Sequence, residues 1–353
     1  MNRRHTLVGV CLSAALLAAC GGGSSLSSAP TSLAPPIASS RSFAAGSASH
    51  PAGSGTNLYV ANFQGDTVTI YAQGETSVRR TISRGVQHPD YVAFDDAGNL
   101  YVANNSLNSS VGVYAPHGKS VLRRISEGVN NPTALAFDGS GNLYVANGYV
   151  STVTVYAPGS TSVLRTISEG VAEPEALAFD GSGNPYVANY EGSTVTVYAP
   201  GSTSVLQTIS RSVDQPIALA FDRSGSLYVA NSNAVTVYAR GGASVPRTIS
   251  QGVDVPEALA FDALGNLYVA NCGSCLSSGS DTVTVYAPGS MALLRTISQG
   301  VHLPVALSFD GSGNLYVANF SKSTVTVYAP GSKRILRTIS QGVNEPSSLL
   351  FGP

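Results

Sequence analysis

The sequence predicts an all-β fold: a seven-bladed β-propeller with four antiparallel strands to a blade, closed three-plus-one by the C-terminal strand. Three observations carry this. The segment Asn-Leu-Tyr-Val-Ala-Asn stands complete at 57–62, 99–104, 142–147, 266–271 and 314–319, and recurs with one change at 184–189 and 226–231. Seven copies 40 to 48 residues apart mark a repeat architecture whose single unit cannot bury its own apolar faces. Each unit reads as four short strands and no helix, and the chain enters the first unit at its second strand and leaves the last on a spare first strand.

Taken in order, residues 1–19 read as an export signal. Arg3 and Arg4 give a positive start, and Leu7 to Leu17 an apolar run too short to span a bilayer permanently. The run ends in Leu17-Ala18-Ala19-Cys20, which resembles the lipobox of bacterial lipoproteins. That resemblance implies cleavage before Cys20 and a lipid on its thiol; an ordinary secretory signal with an incidental Cys is the alternative. Gly at position 21, where Asp would hold a lipoprotein at the inner membrane, implies an outer-membrane address, facing the periplasm or the cell surface. Several acyl chains anchor far better than one, each buried CH₂ adding about 0.8 kcal/mol. Residues 20–56 are then the lipidated end and a Ser/Ala/Gly/Pro linker, whose random-coil reach is on the order of 30–35 Å.

The propeller occupies 57–353. In the unit that starts at Pro132, 132–138 is an apolar strand A and 139–141 a turn. Strand B is 142–147; 152–157 alternates Thr and Val as strand C; Pro158-Gly159 supplies a tight turn, and 163–168 is strand D. In strand A large and small side chains take opposite faces, as in Ala176-Leu177-Ala178-Phe179, so stacked blades set large against small. In strand D one column reads Arg80, Arg123, Arg165, Gln207, Arg247, Arg295 and Arg337. Long polar side chains there would discourage edge-to-edge pairing; a belt for anions is the other reading. Residues 346–351 should pair beside 57–62, giving the first blade its missing inner strand.

Pro-x-Ala-Leu-Ala-Phe-Asp, the Gly-Asn turn, Tyr-Val-Ala-Asn and Thr-Val-Thr-Val-Tyr-Ala resemble NHL-type and YVTN-type propeller repeats over about residues 57–351. Such propellers include adhesins, scaffolds, lactonases and streptogramin lyases, so the resemblance speaks to fold more than to activity. It also implies that ligands are met where the D–A and B–C loops surround the channel mouth. Lactonase-like and lyase-like members keep a metal there, with an acidic residue or a His as base.

At that mouth the residue after each loop proline reads Asp90, Thr133, Glu175, Ile217, Glu257, Val305 and Ser347. The carboxylates, with Glu173 beside them, are hard oxygen ligands suited to Ca²⁺ or Mg²⁺, and otherwise form a solvated rim. His88 and His302 lie in equivalent loops, where a His could serve as general base. The Asn that ends each strand B is read as a structural part, bonding its own turn. The B–C loops differ most between units; Phe63, Tyr190 and Phe320 there could form an aromatic contact patch. The one long loop holds Cys272 and Cys275, expected to join as a disulfide in an exported chain.

Charged residues are 11% of the chain, the net charge is −1, and no basic stripe exists, so nucleic acid is excluded as a partner. The expectation is a monomeric, lipid-anchored, non-catalytic scaffold that binds an envelope protein or polysaccharide and sits on outer-membrane lipid through Cys20. The alternative is a metal-dependent lyase or lactonase with its site at the mouth.

Overall fold

The computed structural model describes residues 57–241, 247–273 and 281–353. Cys20, the signal and the linker lie outside the described residues, as does Cys275 and with it the expected disulfide. Among the described residues there is no helix; the strands form seven four-stranded antiparallel sheets. Blade 1 is built last and first: Pro346–Gly352 pairs with Asn57–Asn62, in the register Asn57↔Gly352 to Asn62↔Pro346. The next two strands of that blade are Thr67–Ala72 and Arg80–Ile82. Blades 2 to 7 each run A-B-C-D outward, and their A strands begin at Pro89, Pro132, Pro174, Ala218, Pro256 and Pro304. Each A strand touches the A strands on either side, so the seven inner strands close a ring.

One row of side chains explains how neighbouring blades adhere. In blade 3, Arg165, Val155 and Tyr144 stand opposite one another across strands D, C and B. Phe179 of the next blade meets the Tyr144 ring edge-on, centroids 5.1 Å apart. The same T-shaped contact recurs at every seam, from Tyr59–Phe94 round to Tyr316–Phe351, the last made by the closing strand. Such pairs add roughly 0.5–1.5 kcal/mol each beyond the area they bury.

The arginine column is therefore corrected. Four of its arginines do not stand out as an edge guard or an anion belt, while Arg247 is exposed and donates to the Gly289 carbonyl and Arg337 donates to that of Gly74. Arg165 reaches over Val155 to donate to the Tyr144 hydroxyl at 3.0 Å, and Arg80, Arg123 and Arg295 do the same to Tyr59, Tyr101 and Tyr268. The solvent-facing residues of strand D flank that column, as Leu122 and Arg124 or Leu206 and Thr208 do. Blade 4 carries Gln207 instead; burial and then Asp180 push its Tyr186 up to about 12, with no guanidinium to oppose them.

The seven Asn at the ends of strand B are structural, as expected, but each bonds more than its own turn. Asn189 is fully buried; its amide donates to Thr194 and Thr196 of strand C, and its oxygen accepts the Ala172 N–H of the D–A loop. Tyr198 donates to the Glu169 carbonyl in the same loop at 2.6 Å. These repeated bonds fix the loops that carry the variable side chains.

Candidate functional site

Each D–A loop ends in a residue that precedes a proline (Gln215 precedes Pro216), and the backbone there is left-handed at all seven positions. The φ values are His88 44°, Asn131 50°, Glu173 46°, Gln215 46°, Val255 47°, Leu303 48° and Glu345 48°. None is glycine. A non-glycine residue in this region costs on the order of 1–3 kcal/mol and persists only when its surroundings impose it. The imposing bonds are visible. The Glu173 N–H donates to Ser151 Oγ of the preceding blade at 3.0 Å, and its carbonyl accepts the Tyr190 N–H at 3.0 Å. Ser109, Ser193 and Ser323 play the part of Ser151 for Asn131, Gln215 and Glu345, and Asp66 and Asp281 do so for His88 and Leu303.

Two residues further on, the strand A pairing shifts register in six blades, so a bulge takes Asp90, Thr133, Glu175, Glu257, Val305 and Ser347 out of the ladder. All six are buried. Thr133 and Ser347 show what the position touches: each donates to its own strand B carbonyl, at Ala146 and Ala61, and to the proline carbonyl of the next blade, Pro174 at 2.6 Å and Pro89 at 2.5 Å. The column just after strand B lies alongside. A Cβ on Gly148 would come within 2.9 Å of the Thr133 methyl and 3.3 Å of Asn131, and Cys272 Sγ lies 3.7 Å from Glu257 Oε1. In blades 3 and 6 side chains of these columns therefore meet, and the residues at the three positions differ from blade to blade.

Against that geometry the expected residues fall as follows. Asp90, Glu175 and Glu257 are buried on blades 2, 4 and 6, and Glu173 is half-buried in the left-handed ring. His88 is half-buried; its Nδ1 lies 3.8 Å from Asp66 and its ring packs against Phe63 at 5.0 Å. His302 is exposed, one residue outside the ring, and donates its backbone N–H to Asn319. Burial raises the carboxyl of its neighbour Asp281, opposed by the Leu303 N–H and by His302. Each His therefore sits by a B–C loop carboxylate of the blade before it, and neither Asp66 nor Asp281 was anticipated. Among the described residues no three His, Cys, Asp or Glu side chains gather so as to hold a metal ion.

The aromatic patch is also corrected. Phe63 and Phe320 are only 2% and 3% exposed and share one core cluster with Val305 at the junction of blades 7 and 1; Tyr190 alone is part-exposed. Those two rings fill a seam. Sequence reasoning missed Asn131, Gln215, Val255, Leu303 and Glu345. Their signal was present: unlike side chains at one fixed place before a recurrent proline.

No protein-family model and no curated protein matches the chain. Solved structures match its fold. A protein from Lactobacillus plantarum is 17% identical with a TM-score of 0.69, over 84% of this chain and 99% of that one. A candidate 6-phosphogluconolactonase from Bacteroides fragilis is 15% identical with a TM-score of 0.68, over 85% and 99%. A functionally unknown protein from Desulfotomaculum acetoxidans is 12% identical with a TM-score of 0.69, over 84% and 99%. Likeness at these identities establishes the seven-bladed propeller and nothing finer.

Proposed function

We propose that this chain is a lipid-anchored, non-catalytic binding protein of the cell envelope that takes its partner, an envelope protein or polysaccharide, at the mouth of the propeller. The left-handed ring carries the reading. Strain is held at seven positions whose backbones match and whose side chains do not, while the rest of the repeat stays nearly constant. Strained backbone retained around differing side chains supports a surface selected for what it presents. The lipobox at Leu17–Cys20 supports the anchor, and a 20–56 tether would let the ring stand off the outer membrane.

The test exchanges chemistry without moving backbone. Asn tolerates left-handed geometry, so the triple variant His88→Asn, Glu173→Asn, Glu345→Asn should fold as the parent does. Immobilised parent and variant are compared for recovery of a partner from envelope extract. Loss of the partner from the variant is expected; equal recovery would sink the reading.

One observation favours a second reading, a metal-dependent lyase or lactonase: carboxylates buried at the bulges of blades 2, 4 and 6. It predicts bound divalent metal in the purified chain, lost on Glu175→Gln, by elemental mass spectrometry.

A further inference from the structure

Blade 2 departs from the repeat in one place. In six blades a Thr of strand C faces a Thr of strand D, as at Thr154↔Thr166 and Thr196↔Thr208. In blade 2 the pair is Gly112↔Arg124. The change dismantles a local bond. Elsewhere the strand B Asn donates to that strand C Thr, whereas Asn104 turns to the Gly85 carbonyl at 3.3 Å. Ser110, fully buried where blades 1, 3, 4, 6 and 7 have Thr, meets no hydrogen-bond partner among the described residues. A longer B–C loop, 105–109, stands above this place and holds Leu107 fully in solvent. Between loop and outer strand lies a groove of about 570 Å³, lined by Gln87, Leu107, Asn108, Ser109, Arg124 and Ser126.

The remodelling costs blade 2 the bonds that its siblings keep, and what it creates is a polar groove with one cation. The Arg124 guanidinium donates to the Asn108 carbonyl at 2.9 Å, which ties it to the loop that borders the groove. It forms no ion pair with a carboxylate among the described residues. A guanidinium fork recognises a planar carboxylate with two parallel bonds. Around it stand an amide and hydroxyls that suit sugar hydroxyls, and the Leu107 side chain can cover a C–H face. We infer that the blade 2 groove is a binding site for an acidic saccharide, with Arg124 taking a uronate carboxylate. The groove reaches the outer strand of blade 2 and uses none of the residues exchanged at the mouth, so it does not depend on the reading of the mouth.

Calorimetry on the full chain in detergent, with trigalacturonate as probe, tests this. The parent should bind, and both Arg124→Thr, which restores the commoner residue, and reduction of the ligand's carboxylates to alcohols should weaken binding at least tenfold. The double variant Arg124→Thr, Thr208→Arg returns the net charge to a blade without the long loop and should not recover binding. Inorganic phosphate should bind more weakly than the saccharide. No binding by the parent, equal binding by Arg124→Thr, recovery in the double variant, or phosphate binding as tightly as trigalacturonate would each overturn the inference. Because the ligand is pure, none of these results bears on partner recovery at the mouth.

Discussion

Val255 holds φ at 47° with two methyl-bearing branches on its Cβ. Left-handed backbone costs an L-residue roughly 1–2 kcal/mol, and a β-branched residue is the worst placed to bear it. Its carbonyl accepts the Cys272 N–H at 3.0 Å, but the preceding blade offers Asn233 where others offer Ser or Asp, and that side chain does not accept the Val255 N–H as Ser151 accepts that of Glu173. Val255→Asn should therefore stabilise the chain by about 1 kcal/mol after some apolar burial is lost, read as a higher urea midpoint at unchanged slope. A lower midpoint would mean that Val255 packs to more purpose than its strain costs, and the mouth reading would lose its physical basis at this blade. Little of this was legible beforehand. The proline announced a loop, but only Gly or Asn advertises positive φ, and of the seven ring residues Asn131 alone is either. The partners of the His were hidden for another reason. Asp66 and Asp281 belong to the blade before, 22 residues upstream of the backbone N–H that each accepts.

Strands carried the plainest signal. Thr-Val-Thr-Val-Tyr alternates, and in blade 4 the strand runs Thr194–Tyr198, as that alternation requires. Strand D is shorter in blade 3 than its sequence suggests, Arg165–Ile167, because Leu164 already bonds Val155 in a turn-like step. The bulges were not legible: Pro-x-Ala-Leu-Ala-Phe reads as one unbroken strand, and the proline, which has no N–H to give, precedes the displaced residue. The closing strand was read correctly from 346 to 351, and the structure carries it to Gly352. That glycine has a steric reason. A Cβ there would stand 2.2 Å from Phe94 Cε2 and 2.4 Å from Cζ. Phe94 is itself held edge-on by Tyr59 at 4.9 Å, so the ring cannot withdraw without giving up its partner. Gly352→Ala should cost roughly 2–3 kcal/mol, from overpacking and a disturbed aromatic pair. Gly139→Ala, with nothing within 4 Å of its Cβ, should stay within about 0.5 kcal/mol. Equal effects in chemical denaturation would show that the seam between blades 1 and 2 yields more easily than its contacts imply.

The ring as a whole is held by equivalence. Blade 1 differs from the others only in that its inner strand comes from the far end of the chain: Tyr59 donates to the Pro353 carbonyl at 2.7 Å, 294 residues away in sequence. In every other blade a five-residue turn such as 138–142 joins strands A and B, its Asp138 carboxylate accepting the N–H groups of Ser140 and Asn142 at 2.9 Å. If closure, and not anything peculiar to blade 1, holds the ring, the seam can be moved. A permutant that joins Pro353 to Asn57 through a turn of the 138–142 kind, and opens the chain between Ser140 and Gly141, has the same three-plus-one seam in blade 3. The loop to be closed has nearly the same length, and closure entropy changes only slowly with length. The permutant should melt within about 4 °C of the parent by circular dichroism. Removal of residues 346–353 from the parent is the contrasting case. It uncovers the edge of Asn57–Asn62, strips Tyr316 of Phe351, and deletes the Ser347 bridge to Pro89, with no compensating change elsewhere. The truncated chain should lose its cooperative transition. A truncated chain that melts like the parent would mean that the six complete blades hold their curvature without closing; a permutant that fails while the parent folds would place the requirement in blade 1 itself.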